Sequence, residues 1–200
     1  MLEEDIILAH NEDGEIQNTA YENQTLTEAS CINIDFQNVM FKHCRFVNVD
    51  FSKAGFYHCM LICCDLSNCK LNDSYWKESE LNECKCNGAS FTGSTFKQTW
   101  ITSSSFVYTL LSETLFEGCR LTDADLSKSS MSQVVLRKTV FQNCRLVNTE
   151  LFRTPLKGID LSDCDISGIT LSETLSELKG ATVSYSQGLD LITMLGIKVK

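Results

Sequence analysis

The chain has 200 residues and a formal net charge of -9 at pH 7. Residues 1–24 hold seven acids and no Lys or Arg, residues 25–173 hold 17 acids against 14 bases, and the last 27 residues two against three. So balanced a middle offers no basic patch for direct nucleic-acid binding, and no apolar run is long enough to span a membrane.

The acidic leader carries one short apolar run, Ile6, Ile7 and Leu8, expected to cover the open end of the neighbouring coils. Ile16 and Tyr21 are five apart, with Gly14 and Thr19 two before them, so an irregular first coil is expected near residue 14. The start, Met1-Leu2-Glu3-Glu4-Asp5, lacks the basic n-region of a signal peptide, and a cytoplasmic protein is expected.

From Leu26 to Leu171 a large apolar residue falls at every fifth position without a slip of register. Two residues before each stands a slim one, such as Cys44, Val49, Ala54, Cys59 and Ser74. A period of five suits neither a helix nor a flat strand. In extended backbone, however, residues two apart point the same way, so each pentapeptide becomes one short inward-facing side. The other two residues must turn a corner. Such sides close into coils that stack at ~4.8 Å through backbone hydrogen bonds.

Eight of the eleven cysteines occupy the slim position, Cys31 and Cys86 the large one, and only Cys63 neither. That distribution reads as small hydrophobes in a reducing compartment, not as a disulfide framework. Cys59, Cys63, Cys64 and Cys69 fit no familiar zinc spacing, and no metal or cofactor is expected. His10, His43 and His58 form no recognisable triad, so no enzyme is expected either.

Taken at intervals of twenty residues, Phe36, Phe56, Trp76, Phe96, Phe116, Leu136 and Leu156 form one apolar series. The outward positions taken at the same interval divide by sign. The set with Glu80, Glu83, Asp123, Asp160 and Asp163 sums to -3 and the set ten residues away from it to -2; the set with Lys77, Lys97, Arg137, Lys138 and Lys157 sums to +2, and the remaining one balances. Trp100, Val107, Tyr108, Leu110, Leu115 and Phe152 are apolar where the pattern wants polar residues. Either the coils are distorted there, or a protein-contact patch surrounds Trp100 and Tyr108.

Beyond Leu171 the register fails at Ser176. Ser184 or Ser186 can cap a helix with Leu189, Ile192 and Leu195 on one face, ended by Gly196. Ile197 and Val199 then alternate with lysines like a strand. The expected division is a cap and irregular coil over 1–24, repeats over 25–173, and a capping and dimerisation module over 174–200.

Units such as Cys64-Asp65-Leu66-Ser67-Asn68 and Ala124-Asp125-Leu126-Ser127-Lys128 closely resemble those of the pentapeptide repeat proteins. The resemblance implies an all-β fold, a right-handed quadrilateral β-helix with a short C-terminal helix and strand. The ending Gly180-Ala181-Thr182-Val183, Gln187 and Leu195-Gly196-Ile197-Lys198-Val199 is similar to that of Qnr-type quinolone-resistance proteins. It implies a tail-to-tail homodimer, through Leu189, Ile192, Leu195, Ile197 and Val199, that mimics duplex DNA and binds DNA gyrase or topoisomerase IV. No insertion breaks the register, which places the chain with relatives that lack projecting loops. A scaffold for an unrelated cytosolic partner, docking near Trp100 and Tyr108, is the other reading.

Overall fold

The computed structural model describes residues 1–12, 14–194 and 196–198. Helix α1 (Leu2–Asn11) leads into β1 (Glu15–Glu22) and β2 (Thr25–Thr27), then β3 (Asp35–Lys42) and β4 (Arg45–Val47). Thereafter short strands alternate. Gly55–Tyr57, Tyr75–Lys77, Thr95–Lys97, Leu115–Glu117 and Val135–Arg137 continue one side. Met60–Ile62, Glu80–Asn82, Trp100–Thr102, Arg120–Thr122 and Val140–Gln142 continue the next. The third and fourth sides are tied by single bridges such as Asp65↔Lys85 and Asp50↔Lys70. Every pairing within the coils is parallel and joins residues twenty apart, as in Phe36↔Phe56 and Trp100↔Arg120. The chain is a parallel β-helix with four sides.

Its core is a column of stacked side chains. Along the first side the ring centroids of Phe36, Phe56, Trp76, Phe96 and Phe116 are separated by 5.1, 3.9, 5.6 and 4.9 Å, and successive rings are stacked nearly parallel. Trp76 is fully buried, and its Nε1–H donates to Ser74 Oγ at 2.9 Å, the partner a buried indole requires.

The corners explain the slim position. The residue before nearly every slim one is left-handed, for example His58 (φ 53°), Cys63 (φ 52°) and Asn68 (φ 60°); Asp163, before Cys164, is not. Entering and leaving the fourth side, the slim residue's N–H closes the turn: Cys69 donates to Leu66 O and Ala54 to Phe51 O. These have the positive third φ of a type II turn. At the other two corners, from Val39 through Cys144, no such backbone bond forms, and everywhere except at Val39 and Ala124 a thiol or hydroxyl substitutes. Cys59 Sγ donates toward Tyr57 O and Phe36 O; Ser79 Oγ lies 3.0 Å from both Lys77 O and Phe56 O. Cys44, Cys64, Cys84, Cys119 and Cys144 repeat the arrangement. Only in the last coil, at Ile159 and Cys164, does the backbone close these corners too. The cysteines are thus donors as well as small hydrophobes. All eleven are free.

Helix α1 covers the N-terminal end, burying Leu2, Ile6 and Ala9 on one stripe; of the run expected to provide that cover, Ile6 is buried while Ile7 and Leu8 face outward. Tyr21 Oη donates to Asp5 Oδ2 at 2.7 Å, and His10 Nε2 donates to Ser30 O at 2.7 Å, pinning α1 across the first coil.

At the other end, the backbone of residues 177–182 continues the ladder. Leu156 N donates to Glu177 O, Gly158 N to Gly180 O and Leu161 N to Thr182 O. The carboxylate of Glu177, buried, accepts from Arg153 N (2.9 Å) and from Ser172 Oγ (2.8 Å). Helix α2 (Tyr185–Met194) comes next, started by a reciprocal cap in which Ser184 N donates to Gln187 Oε1 and Gln187 N to Ser184 Oγ. Gln187 Nε2 fastens it to Leu161 O and Cys164 O at 2.9 and 2.6 Å. Gly196, left-handed at φ 74°, lies just beyond the helix. Ile197, expected in a strand, is in none; Leu195 and Val199 lie outside the described residues.

Two substitutions test these bonds. Ser79→Ala strips two buried carbonyls and the Cys59 N–H (3.0 Å) of a partner; it is expected to cost about 1–3 kcal/mol, with Ser79→Cys recovering part. Urea unfolding checks this as a lowered midpoint at unchanged slope. Burial pushes the Glu177 carboxyl up, but hydrogen bonds from its own backbone, Arg153 and Ser172 outweigh that, and its pKa is lowered. Its stabilisation is therefore present above the unfolded value of ~4.3 and lost as pH falls through the folded one. Thermal midpoints should fall more steeply in acid for the wild type than for Glu177→Gln, which starts lower at neutral pH.

Candidate binding surfaces

Outward residues lie in columns, one residue per coil, because the register is fixed at twenty. The second side carries Met60, Glu80, Trp100, Arg120 and Val140 in one column, each paired across the ladder with the next. Asp160 stands one repeat further on. Glu83, Asp123 and Asp163 project from the corner between the second and third sides, at two-coil intervals. The predicted acids therefore share one side and its edge.

Their environments differ. Glu80 is half-buried, whereas Asp123 and Asp163 are exposed. Glu83 accepts from Cys63 Sγ at 3.4 Å. Asp160 is exposed and bonds within its own corner, where its Oδ1 accepts from Ser162 N at 2.9 Å; the Ser162 hydroxyl first, and then this backbone N–H, lower its pKa. Asp50, Asp65, Asp125 and Asp165 make the same local bond. An acid just before the large residue thus serves the turn as well as the surface.

The apolar residues do not form one patch. Trp100, 46% exposed, opens the second side between Glu80 and Arg120. Tyr108, 59% exposed, lies at the corner between the third and fourth sides, under Lys128, whose Nζ donates to Tyr108 Oη at 2.8 Å. Leu110 and Phe152 are exposed on the fourth side, Phe152 beneath the Arg153 guanidinium at 4.9 Å. Val107 and Leu115 are half-buried. Nor are the coils distorted: pairings at 95–97, 100–102, 115–117 and 120–122 keep the common register.

The basic residues of the first side are partly spent, since Lys97 lies 3.7 Å from Glu117 and Lys77 4.0 Å from Glu78. His58 lies 3.2 Å from Glu78. Among the described residues no three His, Cys, Asp or Glu side chains are placed to hold a metal ion, and no helix is long and apolar enough to cross a membrane.

The C-terminal module leaves apolar surface uncovered. No residue of α2 is fully buried; Leu191 packs on the core, Leu189 and Ile192 are half-buried, and Ile197 beyond the helix is 53% exposed. Between α2 and residues 162–169 runs a groove of 670 Å³, lined by Cys164, Ile166, Gln187, Leu191 and Met194 among others. Sequence reasoning missed this groove, which arises from how Gln187 seats the helix.

In fold the chain is similar to two trypsin-treated variants of QnrB1, described as a plasmid-mediated fluoroquinolone resistance protein. One has a TM-score of 0.58 at 19% identity, covering 93% of this chain and 98% of that one. The other has 0.53 at 15%, covering 92% and 100%. A pentapeptide repeat protein of the cyanobacterium Cyanothece 51142, Rfr23, has a TM-score of 0.47 at 12% identity, covering 70% and 99%. At these identities the likeness is one of fold. No curated protein matches the sequence. The family model of the pentapeptide repeat region matches residues 34–105, and that of pentapeptide repeats in eight copies matches 102–137 and 129–168. Over most of its length, then, this chain belongs to the pentapeptide repeat family.

Proposed function

We propose that this is a non-enzymatic, cytoplasmic binding protein. Two copies join through their C-terminal modules into a rod that occupies the duplex-binding groove of a type II topoisomerase such as DNA gyrase. The carrying observation is the corner bearing Glu83, Asp123 and Asp163, which are two coils apart in turn. Two coils advance about 9.6 Å, and three base-pair steps about 10.2 Å. Along the axis, three carboxylates so placed keep within ~1.5 Å of the rise of every third base-pair step. The described fluoroquinolone resistance of QnrB1 and the Qnr-like C-terminal sequence favour the same target. The uncovered apolar residues Leu189, Ile192 and Ile197 suit a second copy.

A second reading has one observation in its favour. Tyr108, Leu110 and Phe152 are exposed and apolar away from the acidic corner, which suits a scaffold for a different protein.

Purified gyrase supercoiling, with and without a fluoroquinolone, is the direct measurement. Inhibition is expected at micromolar protein, weakened about tenfold or more by reversing Glu83, Asp123 and Asp163 to Lys. Ile197→Glu, at an exposed site, should yield monomers in sedimentation and reduce the effect. No effect on supercoiling by the dimer at any salt concentration overturns the reading. Loss of a pull-down partner on Tyr108→Ala with Phe152→Ala would favour the scaffold.

A further inference from the structure

The two ends of the rod are finished differently. At the C-terminal end, backbone of residues 177–182 pairs with the last full coil, and Gln187 takes two further carbonyls. At the N-terminal end, β1 pairs only with β3 and β2 only with β4. Elsewhere the N–H that opens each side donates back to the preceding coil: Arg45 to Gln24 O, Asp50 to Ala29 O, Asp65 to Cys44 O. Ala20 and Thr25 hold that position in the first coil, where no coil precedes, and both are exposed. Helix α1 closes the core opening and bonds to Ser30 O through His10, to the Tyr21 hydroxyl through Asp5 and to Gly14 N through Ala9 O, none of which pairs Ala20 or Thr25. Among the described residues this is an open, unpaired sheet edge.

Beside it, between α1 and β1, lies a slot of 250 Å³ lined by Asp5, Glu12, Glu15, Gln17 and Tyr21. Residues 1–24 contain no Lys or Arg, and the nearby Lys42 is engaged by Glu22 at 2.9 Å. Like charge disfavours a second N-terminal end as the occupant. The left-handed residues Asn18 and Asn23 limit each straight edge to a few residues, so only a short segment fits.

We propose that the edge of β1 is a docking site for a short extended peptide with basic side chains. The peptide adds as a strand through the free N–H and C=O groups near Ala20 and sets a Lys or Arg into the acidic slot. The proposal is independent of topoisomerase binding, which uses another part of the rod.

The test uses the full chain and a labelled, end-capped peptide of alternating Lys and Thr, monitored by fluorescence anisotropy. Saturable binding is expected, in the range of about 10–100 µM. Methylating the peptide's backbone amides leaves its charge unchanged and should weaken binding about fivefold or more. Ala20→Pro should do the same. Pro155 already occupies the corresponding place before Leu156, so the backbone there accepts proline, and a thermal melt checks the fold. Glu12→Gln with Glu15→Gln forms a separate arm and should lower affinity most at low salt. Equal binding of the methylated peptide, unchanged binding by Ala20→Pro, or no saturable binding overturns the proposal. Self-association abolished by Ala20→Pro would assign the edge to a second copy and also overturn it.

Discussion

The structure depends on one repeated constraint: each coil hydrogen-bonds to the next with a register of twenty residues. Under that constraint an inward side chain always meets the side chain of the same position in the adjacent coil. The aromatic stack from Phe36 to Phe116 is its direct consequence. A coil one residue longer would turn every later slim residue into a corner, so the register is cooperative although each contact is local. The same constraint makes the exterior a set of straight columns. Surface chemistry in this protein is therefore a matter of position modulo twenty.

The corners show how such a chain tolerates its cost. A left-handed L-residue costs roughly 1–2 kcal/mol, and nearly every corner has one. Asn at 18, 23, 33, 38, 48 and 68 is among the residues that adopt this conformation most readily, and Asn38 Nδ2 also donates across to Asn18 Oδ1 of the preceding coil at 2.9 Å. At two of four corners the backbone closes its own turn along the rod. At the other two, a thiol or hydroxyl reaches the carbonyls instead until the last coil, except where Val39 and Ala124 stand. Seven of the eight slim-position cysteines, all but Cys69, stand at those two corners. Alanine at the slim position favours the self-closing corners, as at Ala54 and Ala89.

The period of five made the solenoid, its core and its aromatic ladder legible, because inward direction is set by spacing alone. The surface was less legible. Trp100 and Tyr108 are eight residues apart in sequence, yet the chain turns at Ser103 between them, so nearness along the chain did not become a shared patch. The acids fall on one side and its corner because columns arise from the period, but the local bond of Asp160 to Ser162 N was not readable from spacing. Helix α1 was overlooked although Leu2, Ile6 and Ala9 are spaced as a helical stripe. The adjacent run Ile6-Ile7-Leu8 drew attention to apolar content where periodicity was the better signal. At the other end, the Ser184–Gln187 cap was half readable, and the seating of Gln187 on the last coil was not.

The geometry also bounds how well a coil can imitate a duplex. A rise of about 4.8 Å against 3.4 Å leaves no position-by-position match. Among intervals of one to three coils, two coils come closest to a whole number of steps, and there the carboxylates number one for every third phosphate along the axis of one strand. The corner's intervening residues, Ser103 and Asn143, are uncharged. Such a surface presents a weak, long field instead of a dense one. A groove shaped for DNA would then be held largely by the rod's stiffness and length, with charge setting orientation and approach. Length is what a single copy lacks most, and joining two rods through α2 would double it without adding any new charge pattern. On this view the C-terminal module matters as much to binding as the acidic corner does.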